Sequence, residues 1–184
     1  MHTLGICPLC HQRGKEVDTL SETSSVNYIS HSLLTNKSVE SRIYQQKILN
    51  KAIHNNTIII LPAGMGKCII ATLTIAYHFN TKCIFLTPTK PLVLKRFAML
   101  QEKLTIPEHI SSIIGTVSNE KRAKLFQEAK ILVMTPNVLY HDIINDLYDF
   151  RNVSLIVFDE CHRATGKHAY VKDIIGLLER LKRN

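Results

Sequence analysis

Residues 58–73 read IIILPAGMGKCIIATL, and the fold follows from how that stretch divides. Ile58, Ile59, Ile60 and Leu61 are an apolar run. Pro62, Ala63, Gly64, Met65, Gly66 and Lys67 follow as a glycine-bearing loop, and Cys68, Ile69 and Ile70 open an apolar helix. A strand that feeds such a loop into a helix N-terminus makes a site for a polyphosphate. Successive backbone N–H groups point into the loop, the helix dipole adds partial positive charge, and Lys67 can reach the outer phosphates. Gly64 and Gly66 let the backbone approach the phosphates without a Cβ in the way. The usual pattern ends G-K-[ST], with the last hydroxyl on Mg²⁺. Here that residue is Cys68, whose sulfur is a soft ligand for a hard cation.

Outward from the loop, short apolar runs alternate with helical stretches. Upstream, Ser38 to Ile53 predicts a helix with Ser38 as N-cap and Glu40 in its first turn, carrying Arg42-Ile43-Tyr44-Gln45 just ahead of the loop. Strands are predicted over 57–61, 82–86, 110–114, 130–134 and 153–158. Helices are predicted over 67–79, about 92–104, 119–129, 137–146 and about 170–182. This alternation is that of an α/β protein: a three-layer, doubly wound, mostly parallel sheet with helices on both faces. The polar motifs Thr87-Pro88-Thr89-Lys90, Thr135-Pro136 and Asp159-Glu160-Cys161-His162 each follow a strand directly. In open α/β sheets the ligand crevice lies at the carboxyl ends of the strands, so these clusters are expected to meet there.

Length and composition bound the rest. The chain has 184 residues, 45% of them hydrophobic and 21% charged, enough for one domain with a full core. Its net charge of +8 favours a polyanionic partner such as nucleic acid, with solvated surface lysines as the alternative. No apolar run is long enough to span a membrane, and the N-terminus lacks a secretion signal, so an intracellular protein is expected. Five cysteines, an odd number, fit reduced thiols better than a disulfide framework. Residues 1–27 read as an appendage ending in a serine-rich linker, with the main domain from 28 to 184. Cys7 and Cys10 have the C-x-x-C spacing of half a zinc site, and unliganded thiols are the alternative.

Asp159 ends an apolar strand and is followed by Glu160. With a G-x-G-K loop upstream, that pair is the metal-holding and water-orienting partner of a phosphate-loop ATPase. Asp159-Glu160-Cys161-His162 resembles motif II of superfamily 2 helicases in its DECH variant. The loop Leu61–Cys68 resembles motif I, Thr87–Leu92 motif Ia, Thr135–Asn137 motif Ib, and Arg42–Gln45 the Q motif. The strings Pro88–Arg96 and Phe158–Val171 are similar to the branch of archaeal Hef helicase–nucleases and Fanconi anaemia group M translocases. The likeness runs from about Tyr28 to Val171.

That resemblance implies a RecA-like lobe that binds ATP with Mg²⁺. Gln45 would read adenine, and Leu61, Pro62, Ala63, Gly64, Met65, Gly66, Lys67 and Cys68 would cradle the phosphates. Asp159 would hold Mg²⁺, Glu160 would position water, and His162 would couple the nucleotide to a second lobe. Thr87, Pro88, Thr89, Lys90, Thr135 and Pro136 would touch one strand of nucleic acid, DNA by family, through its phosphates. Lys95 and Arg96 would add phosphate charge or lie on the solvated helix face. Cys68 departs from the pattern and weakens the metal site, and a helix N-terminus would lower its thiol pKa. With the chain stopping at Asn184, the family's motif III and its second RecA-like lobe, with the arginine that completes the ATP site, are expected to be absent from it. Two readings stay open: a helicase lobe, truncated or split from its second half, or an impaired nucleotide- and nucleic-acid-binding remnant that serves a full-length helicase. A different phosphate-loop ATPase is disfavoured by motifs Ia and Ib. The expected location is the cytoplasm of a prokaryote or the nucleus of a eukaryote.

Overall fold

A computed structural model describes residues 2–7, 27–163 and 170. Six strands form one sheet: β1 (His2–Cys7), β2 (Thr57–Ile60), β3 (Lys82–Leu86), β4 (Ile110–Ile113), β5 (Ile131–Met134) and β6 (Val153–Asp159). Their order is β2-β1-β6-β3-β5-β4 and every pairing is parallel. Five helices connect them: α1 (Ile43–Ala52), α2 (Lys67–Tyr77), α3 (Lys90–Lys103), α4 (Asn119–Glu128) and α5 (Pro136–Ile144). The expected α/β architecture is thus present among the described residues, with boundaries within two or three residues of expectation for most elements.

The strands sort their side chains by alternation. Cys83, Phe85, Ile131, Val133, Leu155 and Val157 face one side and pack with Leu49 of α1, Leu73 of α2 and Val93 of α3. Ile84, Leu86, Leu132, Met134, Ile156 and Phe158 face the other, against Phe126 of α4 and Leu139 and Ile143 of α5. Two apolar layers on the central strands explain the hydrophobic runs at residues 83–86, 131–134 and 155–158, which are buried on both faces. α2 is apolar nearly all round and its residues 70–76 are buried. The hydroxyls of Thr72 and Thr74 are satisfied within the helix, donating to the carbonyls of Cys68 and Ile70 at 2.9 and 2.8 Å. On the other face, a polar knot joins α4 to α5. Buried Arg122 donates through Nε to Asp142 Oδ1 at 2.9 Å and through Nη1 to the Val117 carbonyl at 2.6 Å, and the Tyr148 hydroxyl donates to Asp142 Oδ2.

Two sequence expectations are corrected. The hexapeptide His2–Cys7 is not part of an appendage: it is an inner strand, in register with both β2 and β6. Its one glycine explains the fit. A Cβ on Gly5 would lie 3.0 Å from Cys161 Sγ, so the thiol of Cys161 seats over the strand only because Gly5 is bare. The helix before the loop starts at Ile43, not at Ser38, with Arg42 as its N-cap. Glu40 instead forms an antiparallel bridge with Tyr28. Of the predicted last helix only Tyr170 lies among the described residues. No described helix is long and apolar enough to cross a membrane.

Candidate nucleotide site and nucleic-acid rim

Parallel pairing brings the carboxyl ends of the strands to one rim. Ile60 lies beside Cys7, Ile6 beside Asp159, and Leu86 beside both Phe158 and Met134. The loop after β2, the 160–163 turn after β6 and the motifs after β3 and β5 therefore meet, as the spacing predicted.

The loop turns on two left-handed glycines, Gly64 at φ 80° and Gly66 at φ 73°. Gly66 is doubly constrained, because a Cβ there would also lie 2.3 Å from Gln45 Nε2. Lys67 opens α2, and its ammonium donates to the carbonyls of Leu61 and Pro62, 2.8 Å each. The lysine thus closes the loop on itself and sits where phosphate oxygens would replace those two carbonyls. Gln45 of α1 is buried and lines a cleft of ≈320 Å³ with Ser38, Glu40, Arg42, Gly64, Gly66 and Ile69. Its Nε2 donates to the Met65 carbonyl at 3.4 Å, while its Oε1 is buried without a hydrogen-bond partner. A buried acceptor with nothing to accept from is costly. The exocyclic amine of adenine would satisfy it, so the cleft fits the base that the sequence predicts.

Opposite the loop, β6 ends in Asp159 and Glu160. Glu160 holds a left-handed backbone, φ 57°, unfavourable for a residue with a Cβ and imposed here by the sharp turn into Cys161–Arg163. Its Oε2 lies 3.5 Å from His162 Nε2, and His162 Nδ1 is buried without a partner. The Tyr170 hydroxyl donates to the Asp159 carbonyl and lies 3.4 Å from the Leu86 carbonyl, tying the ends of β6 and β3 together.

The carboxylate of Asp159 is already engaged. Arg96, in the second turn of α3, donates through Nε to Asp159 Oδ2 at 2.7 Å. Both side chains are withdrawn from water, 14% and 3% exposed. Arg96 is therefore not on the solvated face of its helix, unlike the exposed Lys95. The signal for this was in the sequence. Val93 and Leu100 mark the buried stripe of α3, and Arg96 falls between them at helical spacing, a charge on an apolar face.

Cys68 lies beside this pair, at the first turn of α2. Its thiol is pushed above the ordinary value, contrary to the expected lowering. Burial is the main cause, with Asp159 and Glu160 adding to it and Arg96 and Lys67 pulling the other way. For a divalent cation the donor set is poor: a sulfur at 68, and an Asp159 oxygen held by a guanidinium. Nucleotide fits these residues; a hard cation on Asp159 does not fit them as they stand. For zinc, Cys7 closes β1 and Cys10 lies outside the described residues. Among the described residues no three metal-ligating side chains cluster.

Along the same rim, α3 and α5 start side by side from neighbouring strands. Thr89 caps the backbone of α3 and Thr135 that of α5, and neither hydroxyl bonds back into its own helix. With Pro88, Lys90, Asn137 and His141 they line a cleft of ≈500 Å³. Two helix N-termini with free hydroxyls and a lysine suit backbone phosphates. Thr87 and Pro136, predicted to touch a strand, are buried: Thr87 closes the core above β3 and Pro136 packs as the first residue of α5. Neither offers surface to a ligand.

Comparison with known proteins matches this geometry. The chain is 37% identical over 147 residues to a putative ATP-dependent RNA helicase of Methanocaldococcus jannaschii, across 78% of this chain and 19% of the relative. It is 32% identical over 152 residues to the DEAD-box ATP-dependent DNA helicase Fancm of Drosophila melanogaster, across 77% of this chain and 10% of the relative. The fold superposes on the helicase domain of Pyrococcus furiosus Hef with a TM-score of 0.68 and 39% identity, covering 71% of this chain and 28% of that one. The chain thus spans a fifth or less of these curated relatives' length. The sequence profile of DEAD/DEAH box helicases matches residues 42–184, from the residue before α1 through the loop, both rim motifs and the Asp159–Glu160 turn, and the chain belongs to that family.

Proposed function

We propose that this chain is the ATP-binding lobe of a Hef-like helicase or translocase that grips DNA. Membership of the family implies ATP and Mg²⁺ as cofactors and nucleic acid as partner. The observation that carries the reading is Gln45. A buried amide oxygen without a partner among the described protein groups, in a cleft it shares with two left-handed glycines, suits the reading of an adenine base. Lys67 then holds the outer phosphates, Glu160 orients the attacking water, and His162, with its unpartnered Nδ1, couples the site to a second RecA-like lobe. Thr89, Lys90 and Thr135 hold the sugar-phosphate backbone of one strand, in register and without reading bases. DNA is preferred over RNA in this reading because the Drosophila relative is by name a DNA helicase. The protein works inside the cell, in prokaryotic cytoplasm or a eukaryotic nucleus.

The test is ATP binding and turnover, with and without single-stranded DNA. ATP is expected to bind, and Gln45→Ala to weaken it roughly tenfold, the worth of a buried hydrogen-bond pair left half made. Equal affinity in the two proteins would remove Gln45 from the site. A second reading, a lobe that binds nucleotide and nucleic acid without hydrolysis, is favoured by Cys68 and by the Arg96–Asp159 pair. Turnover above background in the purified chain would exclude it. Metal analysis of the same preparation decides whether Cys7 and Cys10 hold zinc.

A further inference from the structure

The mechanism so far leaves Arg96 without a role. It is a cation buried at the centre of the nucleotide site, where the family is expected to place a metal ion. α3 leaves the end of β3 and packs against β4 and β5, and from its second turn Arg96 reaches to Asp159 Oδ2 at the end of the adjacent β6, 2.7 Å away. Around it stand Cys68, Asp159 and Glu160. The loop lysine sits across the site with its ammonium on the Leu61 and Pro62 carbonyls.

Three features of this arrangement point the same way. A guanidinium does not lose its proton in a protein, so Arg96 cannot vacate the site by neutralising. A divalent ion on Asp159 would have to displace it, or sit against it with the same carboxylate as shared counter-charge. At position 68, where a hydroxyl would help hold that ion, the chain carries a thiol, a soft donor poorly matched to a hard cation. Guanidinium, finally, is the side chain best shaped to grip phosphate oxygens in pairs.

We propose that Arg96 replaces the divalent cation in this lobe: the chain binds nucleoside triphosphate free of metal, and Arg96, still beside Asp159, carries the charge on the β- and γ-phosphates. The proposal rests on the reading of this site as an ATP site and goes beyond it in naming the ionic form of the ligand. It makes Arg96 a ligand-binding and specificity-determining residue. It also accounts for the pairing of a buried arginine with a carboxylate that would otherwise be spoken for.

The experiment titrates ATP into the full chain in EDTA and in Mg²⁺, for the native protein, Arg96→Gln and Arg96→Lys. In parallel, Mn²⁺ alone is titrated and followed by its paramagnetic resonance signal. For the native protein, ATP affinity in the two buffers is expected to agree within about threefold. Arg96→Gln is expected to lose roughly tenfold in EDTA and to regain it in Mg²⁺, the worth of a charge-assisted bond to phosphate. Arg96→Lys keeps the charge and is expected to keep most of the metal-free affinity, which guards against a fold defect in the glutamine variant. Mn²⁺ alone is expected to bind Arg96→Gln more tightly than native protein, because Asp159 is released. A native protein whose ATP affinity rises tenfold or more with Mg²⁺ would overturn the proposal. So would equal Mn²⁺ binding by the native and glutamine forms. Absence of ATP binding in every buffer would instead overturn the ATP reading, and the Mn²⁺ arm would still decide whether Arg96 holds the cation off Asp159.

Discussion

Cys68 shows how neighbours decide what one side chain can do. Sequence spacing put it at the first turn of a helix that follows a phosphate loop, and it is there. The same spacing could not show that burial outweighs two nearby cations in setting its ionisation. Because burial raises the thiol pKa, the thiolate fraction at pH 8 is below that of a free cysteine. Alkylation of Cys68 is therefore expected to be slower than that of a small-molecule thiol at pH 8. It should accelerate only as pH rises beyond the ordinary thiol value of about 8.5. Bound ATP is expected to slow it further. Mass-resolved labelling of Cys68 across pH checks both points. A rate above the free-thiol value at pH 8 would show the dipole to be the larger effect. Arg96 and Gln45 were legible to different degrees for the same reason. Gln45 sits in a short string that carries its own meaning. The buried position of Arg96 shows in its spacing, but its role appears only once its side chain is seen to reach Asp159 at the end of β6, a relation no local spacing encodes.

At the scale of elements, the strands that sequence made plain are those buried on both faces: β3, β5 and β6 each carry an apolar run, at residues 83–86, 131–134 and 155–158. β1 was missed because HTLGIC is short, has a glycine at its middle, and leads into a C-x-x-C pair that suggests a metal loop. What makes it a strand is non-local, two parallel neighbours drawn from residues 57–60 and 155–159. The glycine is the point of contact with the site, through Cys161. Gly5→Val is expected to lower unfolding free energy by about 1–3 kcal/mol, the range for overpacking a filled core. Cys161→Ala in that background is expected to recover part of the loss, since it removes the thiol that the new side chain meets. Urea unfolding of the two single variants and the double variant measures the coupling. Strict additivity would place the valine's cost elsewhere than on Cys161. The α1 boundary has a similar lesson. Ser38 and Glu40 look like a cap and a first-turn acid, but Glu40 is drawn into a bridge with Tyr28, and tertiary pairing outbids the local signal.

For the whole molecule, charge and topology act together. The net charge of +8 is spread over a body whose rim gathers two helix N-termini, Thr89, Lys90 and Thr135. Binding to single-stranded DNA is expected to be weak, indifferent to sequence and steeply salt-dependent, because each neutralised phosphate releases counterions. The logarithm of affinity against the logarithm of salt should fall with a slope of about −0.7 for each phosphate contacted. Lys90→Ala should make that slope shallower by about one such contact while leaving ATP affinity unchanged. Fluorescence anisotropy at several salt concentrations, with ATP titration alongside, tests this. An unchanged slope would move the strand away from Lys90.

The place of β1 in the sheet has a consequence for how the chain is made. It is the earliest of the six strands to leave the ribosome, yet one of its two partners, β6, follows it by about 150 residues. At roughly 5–20 residues per second, that is a wait of about 8–30 s. Throughout it the hexapeptide has β2 at most to pair with, and parallel pairings between distant segments form slowly. The rim where Asp159 faces the phosphate loop comes into being only when the latest strand slides in beside the earliest. A nascent chain arrested short of Val153 has a phosphate loop and no opposing carboxylates, and an unpaired strand edge along β1 that invites association with other such chains.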